Sequence, residues 1–485
     1  RCYATNSFGG AWADTRETFI TAEITVEATD ASASETGLDP GQFTVHRPPW
    51  ATNAALTVYY SMGGTASNGA DYALLPASVT LAAGASNATI AVSPLFDSLV
   101  EGPEQALLAL LPSAYIVGSA NSPTVTVSDA AYTTWHVTST GSDGNSGTNW
   151  SQAFASITNG VTHAADGDTV LVSNGTYDVM STNFGSGIVI TNGILVTSVN
   201  GAAVTTLRQP LTGAAADTNA FRILEIMSSG SNAVVSGFTI RDGYTRFDHG
   251  GGAGVQLWAG TVSNCIIRDN RAMRSFPTGN NRRMHGAGAI IHGGTMINCQ
   301  IINNTGDDYN GARGAGVYLT GGLLKSCVVT NNNGSVGGTS DGGGLGGGVY
   351  FEGGGTVDSC VIAYNWAPYG GGAYLAGGGA IRNCLISDNT YGAGLYMTGG
   401  SVESCTIARN RADWFHQVSA VSISGGSMLN SIVWGSPSGY NPSIVKDLIP
   451  ISNSGGTVTY CVLQWAVSGT GNIVTNPLFV NLDGG

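Results

Sequence analysis

Apolar residues in this chain fall mostly in short alternating runs, separated by glycine-rich or polar breaks. Alternation at a period of two predicts half-buried strands rather than helices. From residue 254 the runs settle into one repeated frame. Six segments share it: TVSNCIIRDN (261–270), TMINCQIINN (295–304), LLKSCVVTNN (323–332), TVDSCVIAYN (356–365), AIRNCLISDN (380–389) and SVESCTIARN (401–410). Each follows a short alternating strand closed by glycines, as in GVYLTGG and GLYMTGG. An earlier copy, VVSGFTIRDG (234–243), carries Phe238 in the cysteine's place, and a later one, SMLNSIVWGS (427–436), carries Ser431. Consecutive cysteines of the six segments lie 21 to 34 residues apart, and only the stretch after the asparagine varies in length. A repeat of this period belongs to stacked-coil architectures.

The frame predicts an all-β chain whose larger part is a right-handed, single-stranded parallel β-helix. Its coils stack at about 4.8 Å, so that equivalent residues form ladders. Cys265, Cys299, Cys327, Cys360, Cys384 and Cys405 then stack inside, with Ile267, Ile301, Val329, Ile362, Ile386 and Ile407 pointing the same way two residues on. Five residues after each cysteine comes Asn270, Asn304, Asn332, Asn365, Asn389 or Asn410. Asparagine tolerates left-handed backbone and can bond a stacked neighbour, so it suits a corner repeated in every coil. The stretch GGGLGGG (342–348) reads as a turn between coils, because no helix follows it as a phosphate site would need. The cysteines read as packing, since no CxxC or CxxH spacing occurs; a metal or adjacent-coil disulfides are the competing reading, and Cys2 stands apart. Phe154, Ile157, Val161 and Ala164 lie at helical spacing, predicting a helix over 151–165 that covers the open first coil.

Composition narrows the function. The 485 residues exceed one ordinary core, so several domains or an elongated architecture follow. Glycine numbers 72, without a collagen period, and 42% of residues are hydrophobic and patterned, which excludes disorder. Net charge is −13, and the 18 basic residues include only two lysines, Lys325 and Lys446. No basic patch suits nucleic acid or an anionic membrane, and no apolar run reaches a membrane span. The chain opens in mid-motif at Arg1, which reads as a piece of something larger.

Residues 22–131 resemble a bacterial Calx-β domain, through ASASETGLDPGQFTVHR (31–47), LTVYYSMGGTASNGADY (56–72), DSLVEGPE (97–104) and TVTVSD (124–129). The resemblance implies an immunoglobulin-like β-sandwich of about seven strands. It also implies a Ca²⁺ site, with Glu35, Asp71, Asp97, Glu101 and Asp129 at ligand positions. Phe96 stands where the family often has Asp, and Ala130 and Ala131 replace an acidic pair, so at most one weak site is expected. The competing reading has these acids simply capping loops. Residues 1–21 resemble the final strands of a fibronectin-III-like module. The stretch from Trp135 to Val179 resembles the start of secreted bacterial β-helix proteins, and residues 430–485 resemble the last, incomplete coils of proteins of the "choice-of-anchor Q" type. The β-helix then spans 132–485.

Candidate chemistry lies on the outward row Gln256, Ile290, Tyr318, Tyr350, Tyr374, Tyr396 and Ser422, where four tyrosines at coil spacing predict an exposed aromatic stripe. The variable loops beside it hold Asp248, His249, Arg282, Arg283, His285, Asp307, Asp308, Arg313, Asp341, Trp366, Tyr369, Tyr391, Trp414 and His416. Rings beside charged groups suit a sugar-binding groove, whereas tyrosine ladders also stabilise solenoids by stacking alone. Cleavage would need a carboxylate pair, for which Asp307, Asp308 and Asp341 are the candidates, or a base such as Arg313 or His285. Lys325 points away from the loops. Glycine pairs and an IxxN spacing also resemble the GGxx and FxxN repeats of chlamydial polymorphic membrane proteins, which are adhesive β-helices. The expected protein is bacterial, secreted or displayed at the cell surface, and adhesive or structural. Its expected partners are a polysaccharide or cell-surface glycan and other parts of an extracellular assembly, not nucleic acid or a membrane. A secreted polysaccharide lyase or glycoside hydrolase is the alternative.

Overall fold

The computed structural model describes residues 3–6, 9–12, 22–35, 38–95, 102–128, 132–181, 185–210, 220–246, 251–273, 284–307, 312–336, 344–412, 418–436 and 449–478. The chain forms two units, Arg1–Tyr132 and Thr133–Gly485.

In the first unit, Tyr3–Asn6 and Gly9–Trp12 pair as an antiparallel hairpin. Beyond it two sheets enclose one core. One holds Glu23–Asp30, Gly41–His46, Asn87–Val92 and Ile116–Val117; the other holds Ser32–Ser34, Leu56–Gly64, Ser78–Leu81, Glu104–Leu110 and Thr124–Ser128. Inward residues of both sheets, among them Ile24, Phe43, Val58, Leu108 and Val125, are fully buried, as a sandwich with alternating strands requires. Nine strands appear among the described residues of these two sheets, where about seven were expected. The extra two are the short pieces Ser32–Ser34 and Ile116–Val117, which pair in parallel with Thr124–Ser128 and Glu23–Asp30. Tyr115 fastens one corner: its hydroxyl donates to the Leu111 carbonyl (2.8 Å) and accepts from the Tyr59 amide (2.9 Å).

The second unit is a parallel β-helix. Each coil contributes two strands to one long sheet, such as Val317–Leu319 and Leu323–Lys325, then one strand to a second sheet, such as Val328–Thr330. Most coils add a strand to a third sheet, such as Trp366–Ala367. Pairing between coils is parallel and in register, so the six cysteines and their partner isoleucines and valines lie in line and buried. The thiols are free. From Cys299 to Cys384 each backbone amide bonds the next sulfur, as Cys299 N–H does to Cys327 Sγ (3.3 Å), and Ser431 Oγ takes that place after Cys405 (3.1 Å). Hydrogen bonding with Cys384, together with burial, pushes the Cys405 thiol up, and burial does the same to Cys461. Cys2 lies outside the described residues.

The asparagine column corrects one expectation. Left-handed backbone falls on the residue before each asparagine: Asp269 (φ 55°), Asn303 (57°), Asn331 (55°), Tyr364 (57°), Asp388 (56°) and Arg409 (54°). The asparagines themselves are fully buried and bond one another along the axis. Their side chains need the space left by a glycine. A Cβ on Gly288 would lie 2.5 Å from the Gly316 carbonyl oxygen and 2.9 Å from Asn304 Nδ2. Two residues earlier, Gly286, Gly314, Gly346 and Gly370 take φ of 49° to 66°. GGGLGGG therefore ends in a left-handed turn at Gly346 and a close approach at Gly348.

The predicted capping helix is shorter than 151–165. A 3-10 turn spans Trp150–Gln152, and the α-helix, α1, runs Ile157–His163 with Ser156 Oγ accepting from Asn159 N–H (3.2 Å). Phe154, Ile157, Val161 and Ala164 are all buried in the core of the first coils.

Candidate functional site

In-register pairing of Val317–Leu319, Val349–Glu352, Ala373–Ala376 and Leu395–Glu403 lines up Tyr318, Tyr350, Tyr374 and Tyr396. The rings stack in succession at 5.5, 5.4 and 4.8 Å, within 21° of parallel. A second column runs beside them. His285, Arg313, Leu345 and Tyr369 form parallel bridges just before the left-handed glycines. Three of these side chains lie against the tyrosine of the next coil. His285 stacks on Tyr318 (4.3 Å), the Arg313 guanidinium sits 5.2 Å from the Tyr350 ring centre, and Tyr369 meets Tyr396 edge-on (5.9 Å).

This second column changes the expected exposed stripe. Tyr318 and Tyr350 keep only 5% and 3% exposure, so they pack the fold and present no surface to a ligand. Tyr374 and Tyr396 are half-buried, and Tyr369 is exposed. Trp366 and Tyr391, both half-buried, pair separately on the third sheet at 4.5 Å.

Of the charged candidates, the described residues bring together His285 and Arg313, neighbours in the second column, without a carboxylate pair beside them. Arg313 Nη1 donates to Glu352 Oε2 (3.2 Å). Asp307 ends the strand Thr305–Asp307, while Asp308, Asp341, Trp414 and His416 lie outside the described residues. So do Asp248, His249, Arg282 and Arg283. In the sandwich, Glu35 is buried and its Oε2 accepts from the Tyr132 hydroxyl (2.9 Å), and Asp71 Oδ2 accepts from the Ser67 amide. Asp97, Glu101 and Asp129 lie outside the described residues. Among the described residues no three His, Cys, Asp or Glu side chains gather as a metal site, and no helix is long and apolar enough to cross a membrane.

A second cluster, at the N-terminal end of the same outward face, escaped the sequence reading. Register places Glu225, Gln256, Ile290 and Tyr318 in one row. Two residues beyond Gln256, Ile290, Tyr318 and Tyr350 stand Trp258, His292, Thr320 and Glu352; contacts among Gln256, Trp258, His292 and Thr320 put Trp258, His292 and Thr320 on the same outward side. Only the first of these two rows was followed from sequence. The signal was present in QLW, IIH, YLT and YFE, whose outer letters both face away from the core.

Within the cluster, Arg222 Nη1 pairs with Glu225 Oε2 (3.1 Å), which also accepts from Ser186 Oγ. Trp258 Nε1 donates to Glu225 Oε1 (3.1 Å), and the indole stacks on His292 at 3.9 Å and 18°. Gln256 Nε2 donates to His292 Nε2 (3.3 Å), which leaves the proton on Nδ1 to be donated to Thr320 Oγ1 (2.9 Å). Burial alone would raise the Glu225 pKa, but the Ser186 hydrogen bond, the Arg222 charge and the Trp258 hydrogen bond together hold it below the ordinary value. His292 is lowered, by burial first and by Arg222 second, so it is neutral near pH 7.

No family model matches the chain, and no curated protein does. Among solved structures, pectate lyase Pel9A is similar over 73% of this chain and 84% of its own, at 14% identity and a TM-score of 0.46. XylC, solved in complex with xylose, is similar over 70% and 86%, at 10% identity and a TM-score of 0.38. The CBD12 structure from CALX1.2 is similar over 24% of this chain at 16% identity and a TM-score of 0.20, and the chain spans about half the length (47%) of that structure.

Proposed function

We propose that this chain belongs to an extracellular bacterial surface protein whose β-helix binds a polysaccharide along the outward face of its long sheet without cleaving it. The observation that carries this reading is the end of the tyrosine stack. Tyr396 packs one face on Tyr374 and meets Tyr369 edge-on, yet the next coil pairs Ser422 in its register. A half-exposed aromatic wall thus stands over a small hydroxyl residue. Pyranose faces stack on such rings while their hydroxyls take polar neighbours. The scarcity of lysine and the sandwich ahead of a solenoid support an extracellular display role.

The charged groups described on this face support binding rather than cleavage. A hydrolase sets two carboxyl groups about one bond and keeps one of them protonated. Glu225 and Glu352, the two acids named on this face, are each paired to an arginine, and Glu225 is held in its ionised form. Cleavage has one observation in its favour, the presence of Glu225 and His292 against the same indole.

The test is a panel of neutral and acidic polysaccharides, with and without Ca²⁺. It reads gel retardation, new reducing ends and the ultraviolet absorbance of unsaturated uronates. Retardation without cleavage is expected, with Tyr396→Ala weakening the bound glycan about tenfold, the size of one aromatic contact. New reducing ends or unsaturated products would replace this reading with a catalytic one. Absence of retardation by every glycan would remove it.

A further inference from the structure

Resting on that reading, we infer that Trp258, Gln256, Glu225 and His292 form a second carbohydrate subsite, selective for uncharged sugars, at the N-terminal end of the same face. Trp258 is 42% exposed, which alone would be unremarkable for a surface residue. Its immobilisation is the unusual part. The indole N–H is tied to Glu225, that carboxylate is anchored by Arg222 and Ser186, and the ring is backed by His292, itself bonded through both nitrogens. An aromatic surface fixed from two sides loses little side-chain entropy when a ligand stacks on it.

The second observation is Gln256. It is only 7% exposed, and its Oε1 has no hydrogen-bond partner while its Nε2 is committed to His292. A buried carbonyl left unmatched is costly, and a donor supplied by a ligand removes that cost. Gln256 lies in the strand Val255–Leu257 and Trp258 directly follows it; both meet His292, so they share one side and a sugar stacked on the indole lies beside that acceptor.

Charge then selects the class of sugar. The Arg222–Glu225 pair is closed, with both side chains largely buried, and His292 is neutral, so the cluster carries no net charge. The unmet group is an acceptor, which a hydroxyl satisfies. A uronate carboxylate only accepts, and it would also lie near Glu225. Five coil steps separate the Gln256 row from Tyr396, about 24 Å at about 4.8 Å per coil. A chain lying along the axis therefore meets both aromatic ends, and their contributions multiply.

The experiment titrates the full chain with xylan and β-glucan as neutral probes and polygalacturonate as the acidic one. The variants are Trp258→Ala, Trp258→Phe, Gln256→Met and Tyr396→Ala, each checked by thermal unfolding. Trp258→Ala is expected to weaken neutral-glycan binding about tenfold. Trp258→Phe, which keeps a ring, is expected to lose less than threefold, and Gln256→Met, which keeps shape without the acceptor, about fivefold. Unchanged affinity in Trp258→Ala and Gln256→Met, with loss in Tyr396→Ala, overturns the subsite and leaves glycan binding standing. Preference for polygalacturonate overturns the proposed selectivity. No binding of any probe by the unaltered chain removes both. Should Trp258→Ala fail to fold, Trp258→Phe and Gln256→Met still decide the matter.

Discussion

Asn332 shows how much a single interior side chain carries. Its Nδ2 donates to the Ile301 carbonyl (2.9 Å) and to Asn365 Oδ1 (2.9 Å), while its own Oδ1 accepts from the Asn304 amide (3.0 Å) and Asn304 Nδ2 (2.9 Å). Truncation strips partners from several buried groups at once, each worth about 1–3 kcal/mol when left unmet. Asn332→Ala is therefore expected to lower unfolding free energy by about 3 kcal/mol or more, read by urea titration. Cys327→Ser is the control, since Ser431 already fills that column by accepting from the Cys405 amide; a change within about 1 kcal/mol is expected. Equal losses in the two variants would refute the special weight given to the asparagine. The sequence held the clue to its role. The asparagine recurs unchanged in six coils while the residue before it is Asp, Asn, Asn, Tyr, Asp and Arg. A position chosen for its backbone angle tolerates such variety only when its side chain faces out. The recurrent one had to be chosen for its side-chain chemistry.

At the scale of elements, periodicity located the cap but could not draw its edges. Phe154 keeps the helical spacing with Ile157, yet it precedes α1 and bridges Val137 in parallel instead. It still reaches the same core, stacked on Trp135 at 5.9 Å. What fixes this corner is Asp168, a buried residue that spacing could not single out. Its carboxylate accepts from the Thr133 amide (2.7 Å), Trp135 Nε1 (2.8 Å) and the Ala165 amide (3.0 Å), joining the first strand, its tryptophan and the end of the cap. Hydrogen bonds to a charged acceptor are each worth about 1.5–3 kcal/mol. Asp168→Ala is expected to cost about 3 kcal/mol and to expose the first coil. The readouts are a lowered unfolding midpoint and faster proteolysis between residues 133 and 170. An unchanged midpoint would show that packing of Ile157 and Val161 suffices. The outward face was legible only in part for a related reason. Alternation gives the side of the sheet a residue faces, but not whether a neighbouring segment then covers it. Tyr318 and Tyr350 face outward and are nonetheless buried by the column holding His285 and Arg313.

Across the second unit, stability in a stack of coils is close to a sum of terms between neighbours, so it need not be uniform along the axis. The central coils share two buried ladders. The cysteine ladder passes to Ser431, and the asparagine ladder ends where the Asn410 amide bonds Ser436 Oγ (3.2 Å). The cysteine column goes one step further, to Cys461, which is buried in register with Ser431, is bonded by the Ser431 backbone and bonds the Met428 and Thr459 carbonyls. It ends there, because the Cys461 amide turns to Asn472 Oδ1 (3.0 Å) within its own segment. Trp465, Ile473 and Val474 are exposed there, whereas at the opposite end α1 covers the first coil. Each coil within the ladders thus has buried bonds on both sides, while residues 449–473 have them on one side only, at Cys461, and otherwise depend on strand pairing with Val418–Leu429 and Ile432–Trp434. Amide hydrogen exchange should follow this gradient, slowest at residues 299–304, 327–332 and 360–365 and fastest at 449–473. Asn332→Ala should then accelerate exchange at 299–304 and 360–365, its neighbours on either side, and leave residues 169–208 unchanged. Uniform exchange along the whole unit, or equal acceleration at 169–208, would mean that the coils unfold as one cooperative body. The ladder would then contribute to the total without dividing it.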